Sequence, residues 1–496
     1  MTVLQSLDDI RRHSGPRRTR GIPDDRLAAL ADEHPDLVAA VDEALALHQG
    51  LRQTDAELLS MAEADLCDLV QQGYTNFYEP QAVQPYVGLA ARGPWVVTLH
   101  GAVVHDSGGY GMLGHGHNPD FVLEAMGRPQ VMANVMTPSL SQLRFDQRMR
   151  AELGHARADG CPFSRFICLN SGSEAMSIAT RLADINAARQ TGGGSAMHGR
   201  RIRQLSIQGS FHGRTFRPAR ISDSCRKAYE ENLASFRDHS DLVTVPQNDI
   251  AALEAAFAAA DRDQVFIDAI FMEPVQGEGA PGRAVTRAFY DAAVRLAQKH
   301  GSLVVVDSIQ AGLRAQGVLS IVDYPGFEDC VPPDIESWSK ALTAGQYPLS
   351  VVGLSERAAS LYVHGVYGNT MTTNPRALDV ACAVLDHVTP ELRDNIRARG
   401  RQFIEELKAV SAEFPGMITS ITGTGLLFCA ELHPSIPCVG FGAAEERCRM
   451  AGLGVIHGGK NALRFTPRFG ITDGEVHLMM DLLREVFAEI SAARAA

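Results

Sequence analysis

Between residues 166 and 354 the chain alternates short apolar runs with longer stretches of helical period, and this alternation limits the fold more than any other feature. The runs are FICLN near 166, IRQLSIQG near 202, IDAIFMEP near 267, SLVVVDS near 302 and LSVVGLS near 349. Helical patterns fit between them; TRAFYDAAVRLAQKHG, for example, closes on a Lys-His-Gly stop signal. Strands separated by helices imply an α/β unit built on a mainly parallel sheet covered on both faces.

The remainder of the 496 residues is too long to join that core. Residues from about 22 to 72 are rich in Ala, Leu, Asp and Glu, with Leu37, Val41, Leu45 and Leu47 near helical spacing, and 1–85 reads as a helical N-terminal extension. WVVTLHGAVVH then reads as a strand pair opening a small domain over 86–125, followed by the large domain over 126–375. After Asn374-Pro375, long helices around 376–412 and 475–495 enclose the strand candidates LLFCAEL and ALRFTP, so 376–496 reads as the C-terminal part of the small α+β domain.

Composition excludes several classes. Apolar residues make up 45% and charged residues 21%, as in globular chains, and no stretch reaches 18 uncharged apolar residues. The N-terminus lacks the apolar core of a secretory signal, which predicts a cytoplasmic protein without membrane partners. A net charge of −12 argues against nucleic acid, and the basic run RRHSGPRRTR at 11–20 reads as a solvated tail. The nine cysteines contain no C-x-x-C pair, which argues against a disulfide framework or a zinc ribbon.

Three segments carry chemistry. In NSGSEA, from Asn170, hydroxyls and free backbone N–H groups gather where a strand meets the positive end of a helix; the pattern suits a phosphate and equally suits plain capping. LVVVDSIQAG delivers Asp307 to the carboxyl end of a strand, the edge where open α/β sheets gather ligands. There an aspartate can keep a pyridine nitrogen protonated, although Asp also caps many strands. The chain holds only five lysines, Lys227, Lys299, Lys340, Lys408 and Lys460. Four have ordinary surface or helix-end explanations, whereas Lys340 follows a short strand candidate and precedes a small-residue loop, which makes it the candidate for a Schiff-base amine.

Assembled in this order, the motifs over about residues 85–490 resemble the class III, or ornithine-aminotransferase-like, family of fold-type I pyridoxal-phosphate enzymes. The resemblance implies a large domain with a mainly parallel sheet and a smaller α+β domain built from N- and C-terminal segments. It puts Gly172 and Ser173 at the cofactor phosphate and Phe211 of FHGRT on the pyridine ring, with His212 among the cofactor contacts. Asp307 falls at the ring nitrogen, Gln310 at the ring hydroxyl, Ile309 on the opposite ring face, Lys340 at the covalent link and Thr370 at the phosphate of a partner subunit. Arg464 of ALRFTP falls where a substrate carboxylate commonly binds. Glu278 of EPVQGEGA falls where a glutamate pairs with that arginine, and Arg214 where the far carboxylate is held. The implied activity is transfer of an amino group from an amino-acid or ω-amino donor to a keto acid, 2-oxoglutarate above all, in two half-reactions by a homodimer.

Departures from the family pattern are Ser308, where Glu is usual, and Met371, Thr372 and Thr373 after Thr370. Racemases, epimerases, aminomutases and a decarboxylase share the scaffold, so the cofactor residues alone do not separate them from aminotransferases. GYGMLG at 109–114 fits G-x-G-x-x-G and raises a nicotinamide-dependent oxidoreductase, but it lacks a convincing acid at the end of a second strand about 20 residues on. His115 and His117 lack the acid or cysteine cluster of a metal site, and no metal is expected.

Overall fold

The computed structural model describes residues 1–132, 135–237 and 241–495. The chain forms two compact units, one from residues 1–120 with 398–496 and one from 121–397. In chain order the strands of the first terminal segment are β1 (Gly88–Arg92), β2 (Trp95–Thr98) and β3 (Val103–Asp106). Those of the central unit are β4 (Arg165–Leu169), β5 (Arg201–Ile207), β6 (Leu242–Val245), β7 (Val265–Met272), β8 (Leu303–Asp307), β9 (Ile335–Trp338) and β10 (Ser350–Leu354). The last segment adds β11 (Ile418–Thr424), β12 (Leu427–Leu432), β13 (Leu453–Gly454), β14 (Ile456–Gly458) and β15 (Ala462–Phe465).

The central sheet runs β4-β10-β9-β8-β7-β5-β6. Pairings among β6, β5, β7, β8 and β9 are parallel, and β10 alone runs against its neighbours β9 and β4. Every residue of β7 and β8 is buried, which is why these strands read as nearly continuous apolar runs, interrupted within β7 only by Asp268, rather than as alternating ones. The helices covering the sheet have sequence-coded ends. Ser171 and Glu174 form a reciprocal cap at the start of Gly172–Thr191. Thr286 caps Arg287–His300, and Gly301, at φ 76°, takes the left-handed conformation that closes it. The five apolar runs all form strands, as does the short candidate before Lys340, which is β9; β6, a four-residue strand, went unread.

In the terminal unit β3 pairs in parallel with β13, so residues before 107 and after 452 share one sheet, β1-β2-β3-β13. A second sheet runs β11-β12-β15-β14. GYGMLG lies in the stretch between β3 and the helix Asp120–Gly127, with Gly114 packed so closely against Phe469 that a Cβ there would sit 2.4 Å from the ring. This is a packed loop, not the strand–turn–helix of a dinucleotide site. His117 pairs with Asp106 at 2.9 Å.

Three expectations need correction. The basic run at 11–20 is not a solvated tail. A helix over Val3–Arg12 buries Val3, Leu7 and Ile10, Arg11 donates to Asp24 and to the Gly101 carbonyl, and the backbone N–H groups of Arg18 and Thr19 donate to buried Glu63 at 2.8 and 2.7 Å. The helix Pro35–Thr54 buries Leu37, Ala40, Val41, Ala44 and His48, while Leu47 is exposed, because the true stripe follows i, i+3, i+4, i+7. The stretch 376–412 is two helices, Pro375–Asp386 and Pro390–Glu413, with Pro390 opening the second. The first of them buries Val380 and Val384 against Val122, Ala125 and Ala344, so the central unit begins before 126 and extends past 375. Among the described residues no helix is long and apolar enough to cross a membrane.

Candidate active site

Asp307 ends β8 with its carboxylate buried. One oxygen pairs with His212 Nδ1 at 2.8 Å, and the other accepts the Ile309 N–H at 3.1 Å. His212 is held by its own backbone, which donates to Ser222 Oγ at 2.9 Å, and its Nε2 is buried without a partner among the described residues. Three residues on, Gln310 Oε1 accepts from Lys340 Nζ at 3.0 Å, and Gln310 Nε2 is likewise buried without a partner. Lys340 follows β9 and opens a short turn over Lys340–Thr343 at φ 47°. A non-glycine residue in that region is uncommon and carries backbone strain, as residues held for a function often do.

The neighbouring loops close on this pair. The Phe211 N–H donates to Glu273 Oε2 at 3.1 Å and the Gly277 N–H to Glu273 Oε1 at 3.0 Å, so one buried carboxylate clamps FHGRT to EPVQGEGA. Burial pushes the Glu273 carboxyl up to about 7; His212 pulls it down, Asp307 pushes it up, and the two backbone donors pull it down again. Gly277 packs so tightly that a Cβ would lie 2.2 Å from Gln310 Oε1. Gly172, first residue of its helix, stands in the same relation to Ile309, whose Cδ1 would be 2.9 Å from such a Cβ. Ser173 Oγ accepts the Arg214 N–H at 3.2 Å, and the Arg214 guanidinium lies 5.3 Å over the Phe211 ring.

Of the residues named from sequence, Gly172, Ser173, Phe211, His212, Asp307, Ile309, Gln310 and Lys340 are thus linked by close packing or hydrogen bonds running along neighbouring strand ends. Thr370 is exposed in a turn whose Asn369 donates to Glu174 Oε1 at 2.6 Å, which ties that turn to the start of the helix bearing Gly172 and Ser173. Arg214 is exposed and Glu278 half-buried, both in the central unit. Arg464 belongs to the terminal unit, where β15 buries it completely with its guanidinium 5.1 Å over the Tyr110 ring. Sequence reasoning missed Glu273, Ser222, Asn369 and Glu336. The last accepts the Ser308 hydroxyl at 2.6 Å. Glu273 stood inside a quoted motif, but its role needs the loops to be seen together.

The arrangement fits a phosphorylated pyridine aldehyde. It offers an amine, a carboxylate, two buried nitrogens without partners among the described residues and a capped helix start, within one region of the central unit.

The family model for class-III aminotransferases matches residues 78–487. The acetylornithine aminotransferase of Xanthomonas axonopodis pv. citri (strain 306) is 32% identical over 396 residues, covering 78% of this chain and 88% of that protein. The succinylornithine transaminase of Salmonella enteritidis PT4 is 32% identical over 317 residues, covering 64% of this chain and 72% of that one. An ornithine aminotransferase structure from Toxoplasma gondii, described with partial occupancy of pyridoxal phosphate at its active site, superimposes with a TM-score of 0.74 at 24% identity over 90% of this chain and 99% of that chain. With a family model across most of its length and a relative of this identity and coverage, the chain belongs to the class-III aminotransferases, a pyridoxal-phosphate-dependent family.

Proposed function

We propose that Lys340 holds pyridoxal phosphate covalently and that the chain moves an amino group from an amino-acid or ω-amino donor to 2-oxoglutarate. The observation that carries this reading is the Lys340–Gln310 contact of 3.0 Å one turn from the Asp307–His212 pair. When bound, the cofactor supplies an electron-accepting ring that lets a C–H bond beside the substrate nitrogen ionise. Asp307 would keep a proton on the ring nitrogen by charge pairing, with His212 fixing the carboxylate. Gln310 would serve the ring hydroxyl. Phe211 and Ile309 would cover the ring, while Gly172 and Ser173 would hold the phosphate at the helix start. Lys340 Nζ, once free, would act as general base and acid, carrying a proton from the donor carbon to the cofactor in the first half-reaction and from the cofactor to the acceptor carbon in the second.

By the family resemblance alone, Arg464 would take a substrate carboxylate with two parallel N–H groups, Glu278 would fill the role of its counter-charge in the absence of a dicarboxylate, and Arg214 would take the distal carboxylate. The relatives' names, acetylornithine aminotransferase and succinylornithine transaminase, support this class of donor.

The working unit is a homodimer in which Thr370 serves the partner's phosphate. Supporting it, Met136, Leu140, Leu143 and Met371 are exposed, and Val135 shares a groove of about 580 Å³ with Thr372 and Thr373. An active monomer in sedimentation defeats that assignment. The nine free thiols support the cytoplasmic placement.

The testing experiment is borohydride reduction of the purified protein followed by peptide mapping. The label is expected on Lys340, and Lys340→Ala is expected to lose it with nearly all turnover; a labelled lysine in that variant overturns the assignment. Single-turnover incubation with amino donors, read by the cofactor's absorption, separates transfer from inversion. Proton exchange or inversion at an α-carbon without transfer replaces the aminotransferase reading with a racemase or epimerase.

A further inference from the structure

Ser308 departs from the family pattern immediately after Asp307, and the structure shows what stands there instead. Its hydroxyl donates at 2.6 Å to Glu336, a carboxylate from the neighbouring strand β9. Glu336 is fully buried, and it also accepts the Ser320 hydroxyl at 2.5 Å and the Ile321 N–H at 3.0 Å. Its carboxylate therefore joins three segments: the turn after β8, the short helix Ile321–Asp323 with its cap Ser320, and the strand that reaches Lys340 four residues later. The backbone repeats the link, since the Ser308 N–H donates to the Ser337 carbonyl at 2.9 Å and the Ser308 carbonyl accepts from Gly312 at 2.8 Å.

Burying a carboxylate among neutral donors is costly, and an apolar side chain of similar volume would usually serve packing as well. A carboxylate buried at that cost and hydrogen-bonded to three groups from two other segments is placed to fix their geometry. We infer that Glu336 is a positioning residue for the Asp307–Gln310 turn, holding Asp307, Ile309 and Gln310 in register with Lys340, and that Ser308 is its partner in place of the usual glutamate. The turn is short, so a shift of Ser308 moves both the residue before it, Asp307, and the two after it. The inference rests on the assignment of Asp307, Gln310 and Lys340 to the cofactor made above.

The test uses the holoenzyme and three variants, Glu336→Gln, Glu336→Leu and Ser308→Ala. The side-chain amide introduced by Glu336→Gln can accept from Ser308 and Ile321 through its oxygen and donate to the Ser320 hydroxyl, so that variant should lose cofactor at close to the wild-type rate. Glu336→Leu should lose it about tenfold faster, and Ser308→Ala about threefold faster, in line with the cost of removing groups that orient direct ligands. The gap between the thermal midpoints of holo and apo protein should narrow in both, and the pH midpoint of the lysine-bound chromophore should move. Equal falls in the holo and apo midpoints, with unchanged cofactor loss and an unchanged chromophore titration, would reduce Glu336 to scaffold and overturn the inference. If Glu336→Leu does not fold, Ser308→Ala decides. Borohydride labelling separates the two possible failures. A label on Lys340 with unaltered retention in Ser308→Ala overturns the role of Glu336 alone, whereas a label on another lysine overturns the site reading beneath it.

Discussion

Gly277→Ala tests the packed approach of the EPVQGEGA loop to Gln310 in the proposed cofactor site. A Cβ at 277 would lie 2.2 Å from Gln310 Oε1, 2.5 Å from Cδ and 3.0 Å from Cγ, so the Gln310 side chain must swing away. The fold can accept this, because the displaced atoms are the end of a side chain, and the cost to the apo protein should stay below about 1 kcal/mol, under the usual range for overpacking. The cofactor cannot accept it so easily. Moving Gln310 breaks the 3.0 Å contact from Lys340 Nζ and withdraws the Nε2 donor. One such hydrogen bond is worth about 1.5 kcal/mol, and at 1.4 kcal/mol per decade that weakens cofactor binding about tenfold. The assay is titration of apo protein with pyridoxal phosphate by absorbance, alongside apo thermal unfolding, on Gly277→Ala, Gln310→Ala and the double variant. If the loss runs through Gln310, the double variant binds no worse than Gln310→Ala alone. Independent, additive losses, or wild-type affinity in Gly277→Ala, would refute the reasoning.

Asp307→Asn should leave a folded protein whose turnover falls at least about a hundredfold, because an amide cannot hold the ring proton by charge pairing; normal turnover in steady-state assays counts against its role. Arg464→Ala should raise KM for a dicarboxylate acceptor by roughly thirtyfold, the equivalent of about 2 kcal/mol of lost charge-assisted contact, and affect a simple amine donor much less; equal effects on both would remove Arg464 from the carboxylate site. Glu273 has its pKa raised in the folded chain from 4.5 to about 7, so its contribution to stability is full below about 4.5 and is lost as pH rises through about 7. Glu273→Gln cannot titrate, and denaturant midpoints measured across that window should fall less steeply than in the wild type; an unchanged slope contradicts the assignment.

The sequence was most legible where local pattern and final structure coincide. β7 and β8 are buried along their whole length and therefore announce themselves as apolar runs, whereas β6 offers only LVTV, half of it partly exposed, and gives neither a long run nor a clear alternation. The run at 11–20 misled because its charges are visible in the sequence and their partners are not. Arg11 finds the Gly101 carbonyl 90 residues away, and Glu63 lies 44 residues beyond Thr19. The same limit applies in the candidate site. Asp307, Gln310 and Lys340 could be proposed one by one, but Glu273 joining Phe211 to Gly277, and Glu336 of β9 joining Ser308 to Ser320, are contacts between separate segments that no spacing encodes.

That so many of the candidate residues fall at one place in the fold has a topological cause. In a parallel sheet every strand delivers its carboxyl end to the same edge, so whatever follows each apolar run is brought beside whatever follows the next. Gly172 and Ser173 follow β4, Phe211 and His212 follow β5, Glu273 follows β7, Asp307 closes β8, and Lys340 follows β9. β4 qualifies because it opposes β10, which itself opposes β9, so β4 points the same way as the others. β10 runs the other way, and its carboxyl end at Leu354 contributes none of these residues. The ordered motifs are therefore not independent coincidences but successive readings of one sheet edge. A substitution that shifted the register of β8 against β9, where Asp307 stands opposite Ser337, would disturb Asp307, Gln310 and Lys340 together rather than one at a time.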